Sequence, residues 1–160
     1  MGSHPEAESV VLTQLRQRLL ERYGGDPRFV ALRPTRESPA GGTVLEVNRN
    51  TRLRIVRAEG GSGAEVRFET RDLALARKID DRISREGGSV REFLESRMGR
   101  VGLNTAASPE RLNGPGLGIA CQVAIPADRA EVGPFIQNAL DLVEGLFCAF
   151  APGEAEQPGD

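Results

Sequence analysis

The residues that could carry covalent, acid–base or metal chemistry in this chain are few, and their spacing is unpromising. The only histidine is His4, near the start of the sequence, where Met1–His4 reads as part of an expression leader. A Cys–His or Ser–His pair therefore has no base to build on. Cys121 and Cys148 stand far apart inside apolar runs, which predicts two buried thiols with packing roles rather than a disulfide or a nucleophile. Asp80 and Asp81, with Glu86 nearby, have the oxygen chemistry of a hard-cation site. On a helix, however, neighbouring residues point about 100° apart and do not converge on one ion. A solvated face paired with Arg77, Arg82 and Arg85 is the simpler reading. No catalytic, cofactor-binding or metal-binding residue is assigned, and the expectation is a protein that is not an enzyme and needs no cofactor.

Two glycine-rich stretches, Gly60–Gly63 and Gly114–Gly118, lack the Lys-Ser/Thr that follows a phosphate-binding loop, and Pro115 removes an amide from the second. Both read as turns. Arg52, Arg54, Arg57, Arg67 and Arg71 could line one sheet face and hold phosphates. Glu46, Glu65 and Glu69 are interleaved with them, so cross-strand ion pairs account for the pattern more simply. The chain carries 21 Lys and Arg against 23 Asp and Glu, a formal charge of −2, and 4% aromatic residues. Neither the charge nor the scarce aromatics favours nucleic acid. Lys78 is the only lysine, a codon-usage pattern of GC-rich genomes. No apolar run has the length of a membrane span, and the N-terminus lacks the layout of a signal peptide, so the expected compartment is the cytoplasm.

Elements follow from periodicity. Val11, Leu12, Leu15, Leu19 and Tyr23 predict an amphipathic helix from about Glu8 to Tyr23, stopped at Gly24-Gly25. Arg28–Arg33 is a short strand candidate, and Thr35–Gly42 reads as a loop. Thr43–Val47, Arg52–Ala58 and Ala64–Thr70 form a meander, with a turn at Asn48-Arg49-Asn50 and a loop at Glu59–Gly63. Leu53, Ile55, Val66 and Phe68 face inward; the alternating arginines and glutamates face water. Asp72 caps a helix whose apolar face is Leu73, Ala76, Ile79 and Ile83, and Ser89–Glu92 is a capping box for the next. Arg100–Ala107 is a further strand candidate, Ser108–Gly116 a loop, and Leu117–Ile125 a buried strand.

The last helix, from about Pro134 to Phe150, is apolar over far more than one stripe: only Gln137, Asn138, Asp141 and Glu144 interrupt it strongly. Ile136, Ala139, Leu140, Val143 and Phe147 would pack on the sheet. Phe135, Leu142, Leu146 and Phe150 lie partly off that face and are the expected interface with a partner or a second copy, which predicts a homodimer. Cover by the first helix within one chain is the alternative.

The expected fold class is α+β, an antiparallel sheet with helices mainly on one face, in the order α-β-β-β-β-α-α-β-β-α. Residues 8–150 form one domain, and 1–7 and 153–160 are expected to be disordered tails. This order, with the strand Leu117–Pro126 ending in Ile-Pro before an Asp-containing turn and the apolar closing helix Phe135–Phe150, resembles class I type III secretion chaperones and the related YbjN-like domains. The chain differs in its extra first strand, its split central helix and its milder acidity. The resemblance implies a bacterial, non-catalytic protein-binding domain, chaperone-like or a regulatory adaptor, that self-associates. The competing readings are a small-ligand sensor with a cavity between sheet and helices and, third, an enzyme of unknown class.

Overall fold

Alternation in the central strands decides the architecture. The computed structural model describes residues 5–34, 42–57, 63–86, 88–100, 108–112, 116–126 and 128–150. Helix α1 spans Pro5–Tyr23; strands β1 (Ala31–Pro34), β2 (Thr43–Glu46), β3 (Thr51–Arg57) and β4 (Gly63–Thr70) follow; then come α2 (Leu73–Glu86), α3 (Val90–Arg100), β5 (Ser108–Leu112), β6 (Leu117–Ala124) and α4 (Val132–Phe150). All six strands join one sheet in the order β1-β2-β3-β4-β6-β5, and every pairing is antiparallel. The α+β class and the element order expected from the sequence are therefore those of the molecule.

Register sorts the side chains into two faces. One row runs Leu32, Leu45, Leu53, Phe68, Ile119, and the next Ile55, Val66, Cys121. These belong to a single apolar cluster that also takes residues from all four helices. Val44, Val56 and Ala120 are buried as well, but on the opposite face and outside that cluster. The helices thus share one face of the sheet, as a half-buried antiparallel sheet requires.

Local signals set the helix ends. The Asp72 carboxylate accepts from the Ala74 and Leu75 amides at 3.0 and 3.2 Å, and the Ser89 hydroxyl from the Glu92 amide at 3.2 Å. After α2 the chain reverses through Gly88, whose φ of +80° suits glycine, with its amide on the Ile83 carbonyl at 2.7 Å. Helix α4 has no basic residue in its last turn; Arg82 of α2 reaches its Ala149 carbonyl at 3.4 Å.

Several boundaries differ from the sequence reading. The helix α1 begins at Pro5 rather than Glu8, and the first strand at Ala31 rather than Arg28. Leu75 takes the buried place assigned to Leu73, which is 58% exposed. Ser108–Leu112, read as loop, is the edge strand β5. Its Pro109 is tolerated because an edge strand keeps one side of its backbone out of the ladder. Of the expected strand Arg100–Ala107, Arg100 ends α3 and 101–107 lie outside the described residues, as do 35–41 and 59–62 of the expected loops Thr35–Gly42 and Glu59–Gly63, and 1–4 and 153–160 of the expected tails.

The main correction concerns α4. Phe135, Leu142, Leu146 and Phe150 are 4%, 3%, 0% and 0% exposed within the single chain. Phe150 stacks with Phe93 of α3 at 5.5 Å and tilts on Phe68 of the sheet at 5.5 Å. Helix α1 packs along α4. The chain's own helices thus supply the second cover, and the exposed apolar patch invoked for a homodimer is absent at these positions. Leu146→Glu should accordingly abolish folding, because it places an unpaired carboxylate in the core at a cost of about 4 kcal/mol or more. Urea unfolding followed by circular dichroism measures this. A variant that stayed fully folded and only lost a partner in light scattering would restore the interface role.

Candidate functional site

Two places gather polar side chains. The first is the seam between α1 and α4. The Glu144 carboxylate accepts from the Tyr23 hydroxyl at 2.9 Å and from both terminal nitrogens of Arg28 at 2.7 and 3.1 Å. Arg28 is held in turn by Asp26, at 2.8 Å, in the turn that follows α1. Its guanidinium sits 5.0 Å from the Phe147 ring centre. The Cys148 thiol approaches Glu144 at 3.5 Å from one helical turn away.

The electrostatics of this cluster are those of a clamp. Hydrogen bonds from Arg28 hold the Glu144 and Asp26 carboxyls below the usual carboxylate range. The same pairing, first with Asp26 and then with Glu144, keeps Arg28 charged. Burial, then the Glu144 charge, pushes the Tyr23 hydroxyl well above its ordinary value. Each shift moves a pKa further from neutral pH, holding Asp26 and Glu144 ionised, Arg28 charged and Tyr23 protonated.

The second place is a cleft of about 350 Å³ at the end of the sheet where β2 turns into β3. Its walls come from the turn Asn48–Asn50, from Arg71 after β4, from Gly116, and from Glu46, Arg52, Arg67, Glu69 and Gly118. The registers Glu46–Arg52, Arg52–Glu69 and Glu69–Gly118 place the last group on the face without helices. Gly116 is dictated by crowding: a Cβ there would lie 2.0 Å from the Thr70 carbonyl oxygen. The Asn50 carbonyl accepts from the Arg71 amide at 2.8 Å and ties the turn to the end of β4. Below it the Thr51 and Thr70 hydroxyls share a buried hydrogen bond of 2.9 Å.

The arginine–glutamate ladder pairs across strands at Glu69, as expected from the sequence, and along β4 at Glu65–Arg67. Glu69 meets Arg52 at 2.8 Å and Arg54 at 3.2 Å; Glu65 meets Arg67; Glu46 meets Arg33 at 2.8 Å. The face is drier than expected, since Arg54 and Glu65 are 9% and 8% exposed. Asp80 pairs with Arg111 of β5 at 3.1 Å, not with its helix neighbours, and Asp81 is exposed. Among the described residues no three His, Cys, Asp or Glu side chains form a metal-ligand set. Both cysteines are free, but only Cys121 is buried; Cys148 is exposed, against the expectation of two core thiols. His4 lies outside the described residues.

Sequence reasoning missed Arg49, which it treated as part of a turn. It also missed the Glu144 cluster, because Glu144 lies 121 residues from Tyr23 and 116 from Arg28. No local pattern connects them. No protein-family model matches the chain, and no curated protein or solved structure matches it.

Two outcomes follow. Carboxyls held low in the fold stabilise it above their unfolded-state pKa, and that contribution is lost as pH falls through the folded value. Stability should therefore decline as pH drops below the ordinary carboxylate range, about 4, and Glu144→Gln should flatten this decline while costing about 1.5–3 kcal/mol at neutral pH. Urea midpoints measured across acid pH test both. In thiol titration of the native protein, Cys148 alone should react, slowly, because partial burial and the Glu144 charge raise its pKa. Cys121, pushed up to about 12 by burial, should react only on unfolding.

Proposed function

We propose that this chain is a non-catalytic protein-binding domain, chaperone-like or a regulatory adaptor, whose partner docks on the helix-free side of the sheet. The observation that carries this reading is the asymmetry of the two faces. One is sealed by four helices around a single apolar cluster. The other presents a ladder of paired arginines and glutamates beside an open, charged cleft. A charged, hydrogen-bonding surface next to a rigid core suits recognition of another macromolecule, where complementary charge fixes orientation and register.

The pattern-level similarity to type III secretion chaperones and YbjN-like domains points the same way. The strand edges narrow the binding mode. Both edge strands contain proline, Pro34 in β1 and Pro109 in β5. An edge proline offers no N–H, which disfavours capture of a partner by strand addition. Self-association through Phe135, Leu142, Leu146 and Phe150 is not part of the proposal, because those side chains fill the core.

Site-specific photo-crosslinking tests the reading, since the single lysine leaves amine-directed reagents nearly blind. Benzoylphenylalanine at Gln122, exposed on the helix-free face, should yield a covalent adduct with one partner that also forms a complex of fixed stoichiometry when both proteins are purified. The same residue at Lys78, exposed on α2, should not. Adducts at Lys78 alone, or none at either position in the source cells, would overturn it.

A further inference from the structure

Charge accounting around the cleft singles out two arginines. Among the described residues, Arg49, Arg52, Arg67 and Arg71 line it together with two carboxylates, Glu46 and Glu69. Glu46 is engaged by Arg33, and Glu69 by Arg52 and Arg54, while Arg67 is held by Glu65. Arg49 and Arg71 are exposed, and neither has a carboxylate within ion-pair distance among the described residues. Four positive charges against two leave the cleft at +2, in a chain whose formal charge is −2.

The backbone keeps these two arginines together. Arg49 occupies the β2–β3 turn, pinned by the Asn48 side chain accepting from the Asn50 amide at 2.9 Å. Arg71 leaves β4 one residue after the buried Thr70, with its own amide on the Asn50 carbonyl. The backbone positions of the two arginines are thus fixed before any ligand arrives, leaving their exposed side chains to be ordered on binding. A planar guanidinium presents a fork of donors that matches a carboxylate two bonds at a time.

We infer that this cleft seats an acidic segment of the protein partner, with Arg49 and Arg71 each taking an Asp or Glu carboxylate. This deepens the protein-binding reading and rests on it. The remaining lining favours a peptide over other anions. Asn48 and Asn50 offer both donors and acceptors, as a peptide backbone needs, whereas a phosphate offers acceptors only. Among the described residues no aromatic ring lines the cleft for a base to stack on.

Fluorescence anisotropy with a labelled Gly-Glu-Gly-Glu-Glu-Gly-Glu-Gly peptide tests this in 50 mM salt. The intact chain should bind the peptide, and Arg49→Glu/Arg71→Glu should weaken binding at least tenfold; the Gln-substituted peptide should not bind. Both arginines are exposed and have no ion-pair partner among the described residues, so the variant should keep the parent's circular dichroism and urea midpoint; Arg49→Ala/Arg71→Ala, which adds no new charge, should show the same loss. Absence of binding, binding unchanged by either variant, or equal competition by inorganic phosphate or a single-stranded oligonucleotide would overturn the inference. A photo-crosslinked partner whose affinity ignored both variants would overturn it while leaving the protein-binding reading intact.

Discussion

Helix α4 must be covered on both sides, and the rest of the tertiary structure follows from how this is done. Ten of its 19 residues are buried, including Phe135, Leu142, Leu146 and Phe150. Burying side chains of this size stabilises the fold by about 1.5–3 kcal/mol each. The sheet alone cannot supply that cover, because it meets only one side of a helix. Helices α1 and α3 close the other side, with Phe93 on Phe150 and Tyr23 and Phe29 towards Phe147. Where the stripe of apolar residues gives way to Glu144, the seam is finished by charge: Arg28 and Tyr23 satisfy a carboxylate that would otherwise be left half-buried beside Phe147.

How much of this could be read from the sequence depends on range. Alternation at Leu53/Ile55 and Val66/Phe68 announces the central hairpin, and Asp72 and Ser89 announce two helix starts, because each is a local property of a few residues. The edge strand β5 was not legible: Ser108-Pro109-Glu110-Arg111 has loop composition, and its strand geometry comes from pairing with β6. The width of the α4 apolar surface was legible, but not what covers it. A helical wheel shows how much surface must be buried; it does not say whether α1 of the same chain or another copy does the burying. The charged cleft was legible only in part. Arg52, Arg67 and Arg71 belonged to the recognised ladder, whereas Arg49 joins them only because the Asn50–Arg71 hydrogen bond folds the turn against the end of β4.

The two faces of the sheet obey different rules. Towards the helices, shape matters most and polar atoms are scarce. On the other side, Val44, Val56 and Ala120 are buried among long charged residues, their cross-strand neighbours including Arg33, Arg54, Glu65 and Arg67. Aliphatic stems of arginine can shield such positions while the charged heads pair with glutamate. That face therefore presents charge without presenting a second hydrophobic core, and the cleft is where its pairing runs out.

The strand order carries a consequence for how the chain reaches this state. Strands β1 to β4 form consecutive antiparallel pairs, each closed by a short local connection. The next strand in the sheet is β6, and Thr70 meets Leu117 only after α2, α3 and β5 have been laid down. Closing so long a loop costs entropy before the β4–β6 ladder returns any stabilisation. The meander and the β5–β6 pair are thus joined along this single ladder, and α4 packs on both of its strands, β4 and β6. Until residues 132–150 join, that ladder has partial cover from the earlier helices but lacks the one helix that packs on both of its strands.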